Sequence, residues 1–172
     1  RLDAQFDSSA GHPLVVVRGV AGSGKTTLIS GWVRSRPHEE TVWLTLDRTI
    51  RAPSDFWRAL AQILPDNAPR ALASSTFASW LRRRPRPVSV VVDDAHFAHP
   101  ALADELIQVS QEIHRGRLVL GTRATENAAD ALAHIQTAIA TIGADDLAYT
   151  PDEMDELIAH VTGTGRDDGP ID

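Results

Sequence analysis

Leu14-Val15-Val16-Val17 is a continuous apolar run, the pattern of a parallel strand buried on both faces. Leu28, Ile29, Trp32 and Val33 then fall on one stripe at helical spacing. Thr41 to Leu46 alternates β-branched and apolar residues and predicts a second strand. Pro53 or Ser54 opens a helix with Phe56, Leu60 and Ile63 on one face, and Pro65 stops it. A shorter helix carries Phe77, Trp80 and Leu81 and ends in Arg82-Arg83-Arg84, before Pro85 and Pro87. Val88-Ser89-Val90-Val91-Val92 predicts a third strand that delivers Asp93 and Asp94 to its carboxyl end. Leu102, Leu106, Val109 and Ile113 mark the next helix, and Leu118-Val119-Leu120 a fourth strand ending at Gly121-Thr122-Arg123. Asn127 to Leu132 is predicted helical and Ala138 to Ile142 a fifth strand.

Strands alternating with helices dictate an α/β fold, a three-layer sandwich with a mostly parallel sheet of about five strands whose ligands gather at the strands' carboxyl ends. Thr150-Pro151-Asp152-Glu153 is a capping box with proline at the first helical position, followed by Met154, Leu157, Ile158 and Val161 at helical spacing. The expected division is a nucleotide-binding domain over 1–149 and, over 150–172, the start of a helical lid or following helical domain. The chain begins at Arg1 and closes on a glycine- and aspartate-rich tail, so it reads as a piece of a longer protein.

Composition narrows the classes of function. With 42% hydrophobic and 23% charged residues the 172-residue chain is an ordinary globular one. It has no apolar run of membrane-span length and no signal-type N-terminus, so no membrane contact is expected. Zero cysteines exclude disulfides and thiolate metal sites and, with the nucleotide loop below, lead to a cytoplasmic expectation. A net charge of −6 argues against direct nucleic-acid contact by this segment.

The chain's single lysine stands in Gly19-Val20-Ala21-Gly22-Ser23-Gly24-Lys25-Thr26, a complete G-x-x-x-x-G-K-[ST] phosphate-binding loop; the rest of the 17 basic residues are arginine. Such a loop needs a compact ammonium between β- and γ-phosphate oxygens, for which a planar guanidinium has the wrong shape. Its glycines turn backbone N–H groups inward at a helix N-terminus, where the dipole favours anions. Val20, Ala21, Gly22, Ser23, Gly24, Lys25, Thr26 and Thr27 are the expected contacts for ATP or ADP. Thr26 supplies a hydroxyl for the Mg²⁺ that travels with the nucleotide.

A valine-rich strand ending in paired carboxylates has the pattern of a Walker B strand. Asp93 is the expected second holder of Mg²⁺, and Asp94 the group that orients or deprotonates the water attacking the γ-phosphate. The distance in sequence from Lys25 to Asp93 leaves room for an intervening strand and its helices, so the Walker B strand is not expected beside the loop strand. A strand inserted between the two would bring Arg123 near the γ-phosphate, where a guanidinium gains a bidentate partner only in the triphosphate state. Lys25, Asp93, Asp94 and Arg123 form the expected catalytic set. His96, His99 and His114 lack an acidic third ligand and are not read as a metal site; His96 is instead a candidate for steadying Asp94. Trp32, Trp43, Trp57 and Trp80 read as core, and Arg82, Arg83, Arg84 and Arg86 as a solvated helix end favoured by the dipole.

Leu14 to Trp32, Val42-Trp43-Leu44-Thr45-Leu46-Asp47, Asp55-Phe56-Trp57, Val91-Val92-Asp93-Asp94-Ala95-His96, Leu120-Gly121-Thr122-Arg123 and Leu147-Ala148-Tyr149-Thr150-Pro151-Asp152-Glu153 occur in this order. Together they resemble the nucleotide-binding domain of the STAND ATPases, a class of P-loop NTPases, most closely the maltose-regulator type of large LuxR-family transcription regulators. That resemblance implies a regulatory ATPase switch. ADP would hold a closed monomer through intramolecular partner domains, and inducer with ATP would open it to self-association. The family's adenine-contacting segment before Arg1, and its winged-helix, sensory-repeat and DNA-binding parts after Asp172, are not in this sequence. Two other functions stay open at this stage: a P-loop kinase acting on a small acceptor, and an AAA+-like motor or loader.

Overall fold

The computed structural model describes residues 12–65, 68–70, 73–113, 115–123, 139–143 and 147. Its elements run β1 (Leu14–Arg18), α1 (Lys25–Arg34), β2 (Glu40–Thr45), α2 (Pro53–Ile63), α3 (Ser74–Arg82), β3 (Val88–Asp93), a short 3₁₀ turn (Ala95–Phe97), α4 (Pro100–Glu112), β4 (Gly116–Thr122) and β5 (Ile139–Ile142). The strands form one sheet in the order β2-β3-β4-β1-β5, with every neighbouring pair parallel. Parallel neighbours require crossovers, and α1 to α4 supply those between β1 and β4. The inserted strand is β4, which lies between β1 and β3, so the Walker B strand is not beside the loop strand, as expected.

Alternation along the strands sends side chains to two cores. Leu14, Val16, Val90, Val92, Leu118 and Leu120 face α2, α3 and α4, where Phe56, Leu60, Phe77, Trp80, Leu102 and Leu106 close the layer. Val15, Val17, Val91 and Val119 face the opposite way, against Leu28, Ile29 and Trp32 of α1. Both faces of β1 and β3 are therefore dry, which is why those strands are valine runs rather than alternating ones.

Local chemistry sets the helix ends. Pro53 occupies the first turn of α2, and the Asp55 carboxylate accepts the N–H groups of Arg51 and Ala52, each at 3.1 Å. Thr76 does the same for the Ala73 N–H at the start of α3, at 2.8 Å.

Some expectations change. Ile63 is 46% exposed, not part of the buried stripe of α2. The buried arc includes Trp57, so its centre is rotated away from Ile63, which sits in the last turn, and Leu64 beyond the helix is buried instead. Trp32, Trp57 and Trp80 are core, but Trp43 on the edge strand β2 is only partly buried. Within the arginine cluster Arg82 pairs with Glu112, while Arg84 pairs with Glu40 and lies over the Trp80 ring. The helices predicted over 127–132 and 150–161, and the boundary at 149, lie outside the described residues. Among the described residues no helix is long and apolar enough to cross a membrane.

Candidate functional site

The site lies at the carboxyl ends of β1, β3 and β4. Between β1 and α1 the chain turns through Gly22 (φ 78°) and Gly24 (φ 84°), two left-handed positions that a residue with a Cβ occupies only at a cost. A Cβ added at either position would meet nothing within 4 Å, so backbone conformation, not crowding, selects glycine here. Ser23 N–H closes a turn on the Val20 carbonyl at 3.2 Å.

Lys25 opens α1 and is 8% exposed. Its ammonium donates to the carbonyls of Gly19 at 3.0 Å and Val20 at 2.8 Å. An ammonium has three donors. Two are used to brace the loop, which leaves one to aim at an anion.

Thr26 Oγ1 donates to Asp93 Oδ2 at 2.8 Å, joining the first turn of α1 to the tip of β3. The other carboxylate oxygen of Asp93 accepts the Asp94 N–H at 3.0 Å, and the side chain is buried, with 4% exposure. A buried carboxylate with both oxygens engaged is held in one orientation. A third tie links the strands: Gly19 N–H donates to the Thr122 carbonyl at 3.3 Å, fixing the start of the loop to the tip of β4.

Asp94 has φ 53° and ψ 37°, the only positive φ among the described non-glycine residues. Aspartate tolerates this region better than most residues, but strain of this kind gathers at functional sites. The turn carries Asp94 off the strand direction and toward the loop. There it lines a cleft of about 300 Å³ with Ala21, Gly22, Gly24, Lys25, Thr26, Thr27 and the exposed Arg123.

Six of the eight loop residues expected to contact nucleotide line this cleft. Val20 and Ser23 do not. Val20 is 64% exposed, and the Ser23 hydroxyl is buried over Gly19 without a hydrogen-bond partner, so its side chain faces away from the cleft. The spacing of the motif gave no indication of either orientation.

His96 is partly buried beside Asp94. Its Nδ1 is 3.6 Å from Asp94 Oδ1, beyond hydrogen-bond distance, and neither ring nitrogen has a hydrogen-bond partner. Burial, then the positive charge of Arg123, pushes its pKa below the usual 6.5; Asp94 pulls the other way, Lys25 adds to the lowering and Asp93 opposes it.

Magnesium suits the oxygens present. It is held by one or two protein oxygens while phosphates and water complete its shell. The Thr26 hydroxyl, on a residue that lines the cleft, and the Asp93 carboxylate that accepts its hydrogen bond are such a pair. Among the described residues no cluster of three or more His, Cys, Asp or Glu could cage a metal without the nucleotide.

Comparison with known proteins agrees with this fold. A family model described as "AAA domain" matches residues 9–127. The chain belongs to the AAA domain family. The HTH-type transcriptional regulator MalT of Cronobacter sakazakii is 26% identical to it, over 89% of this chain and 19% of the regulator. Among solved structures, a Walker-type ATPase of Pyrococcus abyssi is 13% identical with a TM-score of 0.67, over 98% of this chain and 59% of that one. A STAND protein with a tetratricopeptide repeat sensor from Pyrococcus horikoshii is also 13% identical, with a TM-score of 0.63, over 96% of this chain and 26% of that one. The chain thus spans about a fifth of the MalT relative and only part of each structural neighbour, and the resemblance to the STAND maltose-regulator type drawn from its motifs is supported.

Proposed function

We propose that this domain binds ATP and ADP with Mg²⁺ and hydrolyses ATP slowly, as the switch module of a larger signal-transduction or transcription regulator. The observation that carries this reading is the shared cleft: loop backbone, Lys25, Thr26, Asp94 and Arg123 face one space, with Asp93 locked beneath it. The loop and Lys25 would bind the phosphates by charge-assisted hydrogen bonds. Thr26 and Asp93 would hold Mg²⁺, which when bound neutralises phosphate charge. Asp94, lifted into the cleft by its left-handed turn, would orient and accept a proton from the attacking water. Arg123 at the tip of β4 would contact the γ-phosphate and thereby distinguish ATP from ADP.

The order of the strands favours this reading over a compact small-molecule kinase, because β4 separates the loop strand from the Walker B strand. The relation to a transcriptional regulator and to a STAND protein favours a switch over a motor. Calorimetric titration with ATP and ADP in Mg²⁺, followed by single-turnover cleavage of bound ATP, tests the proposal. Tight binding of both nucleotides with cleavage slow compared with binding is expected. Brisk multiple turnover by a permanent ring would favour a motor, and phosphate transfer to a small acceptor would favour a kinase.

A further inference from the structure

Gly121 is buried in β4, two residues before Arg123, and its φ is not in the left-handed region. Conformational freedom does not explain it. Space does. A Cβ built on Gly121 would stand 2.5 Å from Asp93 Oδ1, 3.1 Å from Ile29 Cδ1 and 3.5 Å from Asp93 Cγ.

The topology explains the collision. β3 and β4 pair in register up to Val92 and Leu120, so Asp93 and Gly121 lie one step further along adjoining strands. Val91 and Val119, two residues earlier, face α1, and alternation sends positions 93 and 121 to that same face. The Asp93 carboxylate must therefore pass over position 121 to reach Thr26 on the first turn of α1. It does so with Oδ1 on the Asp94 N–H and Oδ2 on the Thr26 hydroxyl. The absence of a side chain at 121 is what leaves the carboxylate room for both bonds at once.

We infer that Gly121 is a positioning residue for the metal-nucleotide site, a side-chain-free slot in β4 that sets the orientation of the Asp93 carboxylate. This rests on the reading of Thr26 and Asp93 as holders of Mg²⁺. A methyl group at 121 cannot be met by the strands, whose ladders are fixed, so the far end of the short aspartate side chain gives way first. The oxygen that moves is the one bonded to the Asp94 N–H, and rotation of the carboxylate carries the other off Thr26. Metal-dependent nucleotide binding is then weakened, whereas phosphate contacts to the loop and Lys25 are untouched.

The test compares ADP affinity in Mg²⁺ with ADP affinity in EDTA, by calorimetry on the full chain. For the native protein, Mg²⁺ is expected to raise ADP affinity. In Gly121→Ala that gain shrinks by about 10- to 100-fold, as for the loss of an outer-shell partner of a metal ligand, while metal-free affinity is unchanged. The double variant Gly121→Ala/Ile29→Val relieves the contact with Ile29 but not the one with Asp93. It should therefore recover thermal stability without recovering the Mg²⁺ effect. A full Mg²⁺ gain in Gly121→Ala overturns the inference. So does recovery of the gain in the double variant, or the unfolding of both variants, since each makes Gly121 a packing residue only. A native protein that binds ADP with no Mg²⁺ gain removes the metal assignment and the inference with it. Failure of the native protein to bind ADP under either condition instead defeats the nucleotide reading itself.

Discussion

At the scale of single residues, the site assigns different tasks to groups that look alike in sequence. Lys25 braces the loop through two of its own carbonyls while presenting its remaining donor outward. Lys25→Ala should abolish tight binding of ADP and ATP, and some loop rigidity should go with it; calorimetry and a thermal melt on the same sample would separate the two losses. Asp93 is buried and doubly hydrogen-bonded, whereas its neighbour Asp94 lines the cleft. Asp93→Asn is expected to weaken the Mg²⁺ dependence of binding, and Asp94→Asn to retain ATP but slow its cleavage, because ground-state and transition-state contacts affect different constants. Equal loss of binding in both variants would contradict that division. His96 gives a pH signature. Because its folded pKa lies below 6.5, the unfolded chain takes up the proton more readily. Stability from this group is complete above about pH 6.5 and is lost as the pH falls toward the folded value. His96→Gln should accordingly show a smaller drop in melting temperature than the native chain between about pH 7 and about pH 5.5.

At the scale of elements, most of the framework could be read from apolar periodicity, because the driving pattern is local. Leu14 to Val17 and Val88 to Val92 are runs that only a doubly covered strand accommodates, and both appear as buried strands. The glycine loop was legible for the same reason: its spacing encodes its own backbone path. The apolar stripe of α2 extends to Ile63 while its buried arc does not, because a stripe written on one helix cannot show where the neighbouring layer is centred. The slot at Gly121 is not legible in the sequence because it depends on Asp93 of a strand distant in sequence, and an aspartate alone does not announce the left-handed turn at position 94. α1 offers the clearest energetic test. Trp32 has 0% exposure and its ring lies beneath the Arg36 guanidinium, 4.7 Å away, with that of Arg117 at 5.6 Å. Trp32→Ala should cost about 3–5 kcal/mol, measurable by denaturant titration, since α1 is the cover over this side of the sheet. A loss well under that range would mean that α1 is held chiefly by its loop.

At the scale of the whole molecule, the sheet order turns three remote segments into one device. Gly19 is hydrogen-bonded to the tip of β4, Thr26 to the tip of β3, and Arg123 follows directly from the strand between β1 and β3. A γ-phosphate felt by Arg123 would therefore load the same strand that pins the start of the loop. Arg123→Ala should lower affinity for ATP far more than for ADP. An arginine–phosphate pair of this kind contributes about 1.5–3 kcal/mol, or roughly ten- to over a hundredfold in relative affinity. Paired titrations would show it, and an unaltered ATP/ADP ratio would remove Arg123 from the sensing role.

The solitary lysine has a practical consequence. Between Arg1 and Asp172 no other side chain offers a primary amine, and this one is 8% exposed and lines the cleft proposed to bind phosphate. Side-chain acylation by an amine-selective reagent in this stretch therefore reports on a single address, which peptide mass separates from any acylated α-amine. Its rate, followed by peptide mass, is expected to fall when nucleotide occupies the cleft, so that the covalent tag becomes a gauge of occupancy requiring no labelled ligand and no engineered probe.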